Sequence, residues 1–145
     1  MAASEDFQAK LAQGRLWPPP IAEFLGFTLV SLTQGEATYE MPVDSRFASP
    51  MGTVHGGILC DLSDAAMATA FASTLADGET MTTLELKINF LKPVWQGRLR
   101  AIGKVVKRGK SVGLVDCDVF DEHESLVARS SSTCMVLRGD QAIGR

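Results

Sequence analysis

Cysteine, histidine, tryptophan and tyrosine are scarce in these 145 residues: three Cys, two His, two Trp and one Tyr. Cys60, Cys117 and Cys134 are odd in number and widely spaced, with no CxxC pair, so neither a disulfide framework nor a zinc knuckle is predicted. His55 and His123 alone cannot build a His-based metal cluster. No metal and no resident cofactor is therefore expected. No 18-residue apolar run occurs, which excludes a membrane-spanning helix. The opening MAASEDFQAK carries acids and no apolar core, so no signal peptide is predicted. Reduced thiols then fit a cytoplasmic protein. Basic excess is missing too: the net charge is −3, which argues against a nucleic-acid face. There is no G-x-S-x-G elbow. Gly103 to Ser111 looks like a phosphate-binding P-loop, but five residues separate its glycines where that loop needs four.

What is present suits one domain with a real core. Hydrophobic residues make up 46% of the chain and charged residues 21%. Ser4 to Leu16 predicts a short helix capped by Ser4, and Trp17-Pro18-Pro19-Pro20 an extended lead-in. Ile21 to Leu25 predicts a further helical turn. Residues 1–20 are thus a lead-in, 21–138 the domain and 139–145 a tail. Strands are predicted over Phe27–Leu32, Ala37–Val43, Met81–Leu91, Arg98–Lys107, Ser111–Asp121 and Ser125–Leu137, joined mostly by short turns. In the third strand Leu84, Leu86, Ile88 and Phe90 alternate with Glu85, Lys87 and Asn89, which predicts one buried face. Between the second and third strands, Ile58 to Ala76 predicts one long helix, apolar nearly all round and therefore interior. A single helix against one curved antiparallel sheet satisfies that pattern, an α+β fold.

Two acids lie on that helix, Asp61 and Asp64, about 60° apart around it. Asp61, in an early turn, suits the helix dipole. Asp64, deeper in, is either a tolerated polar residue or a functional carboxylate, since burying an unused charge is costly. Ahead of the helix, His55-Gly56-Gly57 is either a plain glycine-rich entry or a set of free N–H groups able to bind an oxyanion. Gly56 and Asp64 are eight residues apart, about 12 Å along one helix, so one carbonyl cannot touch both within a chain. A two-fold dimer would bring them together. Lys107, Arg108 and Lys110 form a basic connection that is either a solvated hairpin or a phosphate contact. Met81, Phe71 and Trp95 either line an acyl pocket or belong to the core.

At His55-Gly56-Gly57-Ile58-Leu59-Cys60-Asp61-Leu62-Ser63-Asp64 the chain resembles hotdog-fold acyl-CoA thioesterases of the PaaI type. These share a G-x-x-H-G-G motif with a helical acid nine residues after the histidine. Glu85 to Val94, Val105 to Lys110 and the Ser-rich strand Ser130 to Leu137 match further stretches, so the likeness spans about residues 21–138. It implies a long central helix wrapped by five or six antiparallel strands, homodimers that pair into homotetramers, and an acyl-CoA thioester substrate, with coenzyme A as part of that substrate. Asp64 would be general base or nucleophile, the partner chain's Gly56 N–H the oxyanion donor, and Gly57 a close helix entry. His55 would orient the loop or thioester, and Thr83 would help place the water. Many relatives have asparagine six residues before the histidine; here it is Ser49. Lys107, Arg108 and Lys110 would meet the CoA phosphates. Two alternatives share the fold: a hydratase or dehydratase with His55 as base, and a non-catalytic acyl-CoA-binding module.

Overall fold

The computed structural model describes residues 18–143. The helix expected over residues 4–16 lies outside them. A short helix, Pro20–Leu25, opens the described chain and ends at Gly26, whose φ of 85° provides the left-handed cap. Pro20, expected in the extended lead-in, is instead the first helical residue, where its missing N–H costs no helical bond.

Six strands follow: β1 (Thr28–Thr33), β2 (Glu36–Val43), β3 (Thr80–Phe90), β4 (Gly97–Arg108), β5 (Val112–Phe120) and β6 (Leu126–Leu137). They form one sheet in the order β1-β2-β4-β5-β6-β3, every neighbouring pair antiparallel. The central helix, Gly56–Ala72, lies against it. One long helix on one antiparallel sheet is the α+β architecture that the resemblance implies.

The helix begins two residues before the expected Ile58 and ends four before the expected Ala76. His55 causes the early start, because its Nδ1 accepts the Gly57 N–H at 3.0 Å and caps the first turn. Two hydroxyls cause the early end. Ser73 Oγ donates to the Ala70 carbonyl at 2.6 Å and Thr74 Oγ1 to the Phe71 carbonyl at 2.7 Å, competing with the next backbone bonds.

Leu59, Leu62, Ser63, Ala66, Met67, Ala70 and Phe71 form one buried face at helical spacing. The sheet approaches this face closely: a Cβ on Gly103 would stand 2.5 Å from the Ala66 carbonyl oxygen, so β4 passes over the helix only as glycine. The helix, expected to be interior because it is apolar nearly all round, is not covered on every side within the single chain. Gly57 and Asp61 are exposed, and Cys60, Asp64, Ala65 and Ala68 are half-buried. One stripe of the helix, carrying Asp64, is left incompletely covered in the single chain.

Strand β3, at the sheet edge, departs from simple alternation. Leu86 and Ile88 pack against the core as expected, but Leu84 and Phe90 are 53% and 55% exposed. The register with β6 shifts between Thr83 and Glu85, leaving Leu84 as an extra, bulged residue. The bulge reverses the parity of the strand, so that Met81 and Thr83 face inward with Leu86 and Ile88. Glu85 Oε1 accepts the Thr133 N–H at 2.9 Å beside it.

Candidate active site

The loop before the helix is folded by its own hydroxyls. Ser49 N–H donates to the Thr53 carbonyl at 2.6 Å, its Oγ is 3.2 Å from Thr53 Oγ1, and the Met51 N–H donates to that Oγ at 3.3 Å. Gly52, with φ of 89°, allows the tight return. His55 N–H donates to the Phe47 carbonyl at 2.8 Å and Val54 N–H to the Val94 carbonyl at 2.7 Å, pinning the loop to its neighbours.

A groove of about 450 Å³ opens over this loop, lined by Ser49, His55, Gly56, Leu59, Phe90 and Val94 among others. Its walls are mostly apolar. The Gly56 N–H, at the first helical position, has no hydrogen-bond partner among the described residues. Gly56 has a second requirement: a Cβ there would stand 2.7 Å from Phe90 Cζ, so the aromatic ring rests directly against the helix start. An unpaired N–H at the positive end of a helix, beside an apolar cleft, is suited to a developing oxyanion.

With Nδ1 occupied as an acceptor, the neutral His55 ring carries its proton on Nε2. The exposed nitrogen is then a hydrogen-bond donor and is not available as a base.

Asp64 lies elsewhere. It is half-buried on the helix, and Thr83 Oγ1 donates to its Oδ1 at 3.2 Å. Burial pushes its carboxyl above the ordinary carboxylate range, the Thr83 bond opposes that, and the nearby Asp61 charge adds to it. A carboxylate with raised basicity is suited to taking a proton from water. Neither Asp64 nor Thr83 lines the groove at Gly56.

The basic connection is at the opposite end of the helix. Arg108 turns inward: its guanidinium lies 5.2 Å from the Phe71 ring centre and 3.1 Å from Glu79. Lys107 and Lys110 are exposed. The structure therefore brings together Ser49, His55, Gly56 and Gly57 at one place, Asp64 and Thr83 at a second, and Lys107, Arg108 and Lys110 at a third.

Of the three residues open to either reading, acyl pocket or core, Phe71 and Met81 take the second. Phe71 is fully buried core and Met81 packs against the core. Trp95 lines a neighbouring groove with Arg98 and His123. Val54, Leu59, Phe90, Leu91 and Val94 supply the apolar lining instead. Phe90 and Val94 were within reach of sequence reasoning as apolar residues flanking the Pro93 turn. Their approach to Gly56 is a long-range contact that no local pattern encodes. Among the described residues no group of three His, Cys, Asp or Glu could hold a metal ion, and no helix is long and apolar enough to cross a membrane.

The sequence pattern of the thioesterase superfamily matches residues 51–128. An esterase-named protein of Saccharolobus solfataricus is 34% identical over 118 residues, covering 81% of this chain and 84% of that protein. The acyl-coenzyme A thioesterase PaaI of Escherichia coli is 31% identical over 108 residues, covering 74% and 75%. The solved structure of E. coli PaaI superposes with a TM-score of 0.83 at 26% identity, over 96% of this chain and 98% of that one.

Proposed function

The chain belongs to the thioesterase superfamily and is a thioester hydrolase of the hotdog fold, and on that premise we propose that it hydrolyses acyl-CoA to a free acid and CoA in a site shared between two subunits. The observation that carries this reading is the unpaired Gly56 N–H at the groove, eight residues before a half-buried Asp64 that does not reach it.

In the proposed reaction Asp64 takes a proton from water as the water oxygen bonds to the thioester carbonyl carbon. The carbonyl electron pair moves onto oxygen, where the partner chain's Gly56 N–H stabilises it. Collapse of this intermediate breaks the carbon–sulfur bond, and the CoA thiolate leaves and is protonated. Thr83 holds both Asp64 and the water, and His55 and Gly57 orient the loop and substrate. Ser49 acts through the shape of the loop it organises. The stripe of the helix left incompletely covered, with the exposed β3 edge, supports pairing into a homodimer. Further pairing into a homotetramer would follow the resemblance.

Two-fold pairing also sorts the substrate. Phe71, under Arg108, is seven residues beyond Asp64 and fifteen beyond Gly56, so about 10 Å and 22 Å along the axis respectively. Base and basic hairpin would then come from one subunit, and oxyanion donor and apolar groove from the other. The CoA phosphates would lie on Lys107, Arg108 and Lys110. Free thiols on Cys60, Cys117 and Cys134 are consistent with work in the cytoplasm.

The hydratase alternative needs His55 as a base, and its capping bond leaves only a donor outward. The test is thiol release from phenylacetyl-, benzoyl- and hexanoyl-CoA. Release of CoA thiol from at least one of them supports the reading. Tight binding of all three with no thiol released would make the chain an acyl-CoA-binding module.

A further inference from the structure

Outside one cluster, the described cations are matched one to one with acids, with a single exception. Among the described residues Arg46 pairs with Asp44, Lys92 with Asp121, Arg98 with Glu40, Arg100 with Glu124, Lys104 with Glu36 and Arg129 with Asp118. Lys87 donates to Asn89. One place breaks the pattern. Arg108 and Arg138 share the single carboxylate of Glu79, at 3.1 Å and 2.6 Å. Beside them Lys107 and Lys110 have no partner among the described residues. Glu79 pairs with two of these cations while Lys107 and Lys110 flank Arg108 in the chain, which leaves a local excess of positive charge in a chain of net charge −3.

Arg138, just past the end of β6, is fixed against the tip of the basic hairpin. Its Nη2 donates to the Lys110 carbonyl at 2.7 Å and its Nε to Glu79 Oε1 at 2.8 Å. The Val136 N–H donates to the Ser111 carbonyl at 2.8 Å, tying the strand end to the same hairpin. Glu79 is itself held by the Ala76 N–H at 2.8 Å. Two of the three guanidinium nitrogens of Arg138 are thus occupied, and Nη1 has no partner among the described residues. Arg108 differs. Its Nη1 donates to the Gly109 carbonyl, its Nη2 to Glu79, and its side chain is 24% exposed against 43% for Arg138.

We propose that Arg138 is a phosphate-binding residue for the nucleotide end of CoA, acting with Lys107 and Lys110, and that Glu79 positions it. Arg108 then adds charge from beneath more than direct contact. The proposal rests on the reading that the hairpin receives the CoA phosphates, and its test separates the two. Calorimetric titration of CoA and of pantetheine, which lacks every phosphate, measures the phosphate contribution without any acyl group.

The wild-type protein should bind CoA at least about tenfold more tightly than pantetheine. Arg138→Gln should reduce that ratio about five- to tenfold, with pantetheine affinity unchanged, and should raise KM for acyl-CoA with kcat retained. Arg129→Gln, an equal loss of charge elsewhere on β6, should leave the ratio alone. A wild-type ratio near one overturns the hairpin reading, and the Arg138 proposal with it. A large wild-type ratio that Arg138→Gln leaves intact overturns the Arg138 proposal only. So does a variant that weakens CoA and pantetheine equally, because the residue is then structural. If Arg138→Gln does not fold, Arg138→Lys decides. It keeps the charge but loses the fork, and should reduce the ratio about two- to threefold; an unchanged ratio there also overturns the proposal.

Discussion

Thr83 reaches Asp64, at 3.2 Å, only because Leu84 is bulged out of β3. Residues 83 and 86 would point to opposite faces of a regular strand, and the one-residue insertion puts them on the same face. A carboxylate half-buried on the helix thereby gains its hydroxyl partner from the sheet edge. Thr83→Val keeps the shape and deletes the donor. We expect kcat to fall about tenfold with KM little changed, as measured by initial rates.

The same bond bears on the pH dependence, against the larger effect of burial. Burial raises the Asp64 pKa and the Thr83 bond lowers it. Only the ionised carboxylate can accept a proton, so activity should rise with pH through an Asp64 titration raised from the ordinary aspartate value. Removing Thr83 removes a lowering influence. The acid limb of the kcat profile should therefore move to higher pH in Thr83→Val, and a limb that moves down would contradict the assignment.

Stability should follow the opposite sense. A carboxyl whose folded pKa is raised favours the folded state below its unfolded pKa, and that contribution is lost as pH rises through the folded value. Above the folded value the ionised Asp64 is thus a net cost. Asp64→Asn should melt at or above the wild-type temperature at pH 7 while losing at least about 10²-fold in kcat. A scanning calorimeter and a thiol-release assay measure the two halves.

Gly56 must satisfy two demands, an unpaired N–H at the groove and contact with the Phe90 ring. Gly56→Ala retains the N–H but sets its Cβ against Phe90. Turnover should drop about tenfold or more, through displacement of the donor. Adding Phe90→Ala should recover part of that loss. No recovery would place the defect elsewhere than in the ring contact.

Much of this fold is legible in the chain. Six strands and one long helix follow from period-two alternation and from the apolar run after His55-Gly56-Gly57. The contrast between an exposed Asp61 and a half-buried Asp64 follows from their places on that helix. Other features are hidden for physical reasons. Leu84, Leu86, Ile88 and Phe90 keep perfect alternation in sequence, so nothing local reveals that Leu84 is inserted and that the inward face changes parity there. The helix ends at Ala72 although Leu75 and Ala76 would continue it, because Ser73 and Thr74 bond back to carbonyls. Phe90 against Gly56, and Arg138 against Lys110, join residues far apart in the chain. Such contacts come from assembly of the elements: β6 runs along β5 to the hairpin tip, and the end of β3 meets the start of the helix.

The shared site is tested most directly by mixing two inactive variants. Asp64→Asn removes the base, and Gly56→Pro removes the N–H. Refolded together at equal amounts, roughly half of the dimers should be hybrids, each with one site carrying both defects and one carrying neither. Hybrid formation is confirmed by native mass spectrometry, and acyl-CoA hydrolysis is then measured on the mixture. The account predicts recovery to roughly a quarter of wild-type activity, from two parents that are each nearly inactive. A mixture that contains the hybrids and remains inactive would contradict it, since base and oxyanion donor would then belong to the same chain.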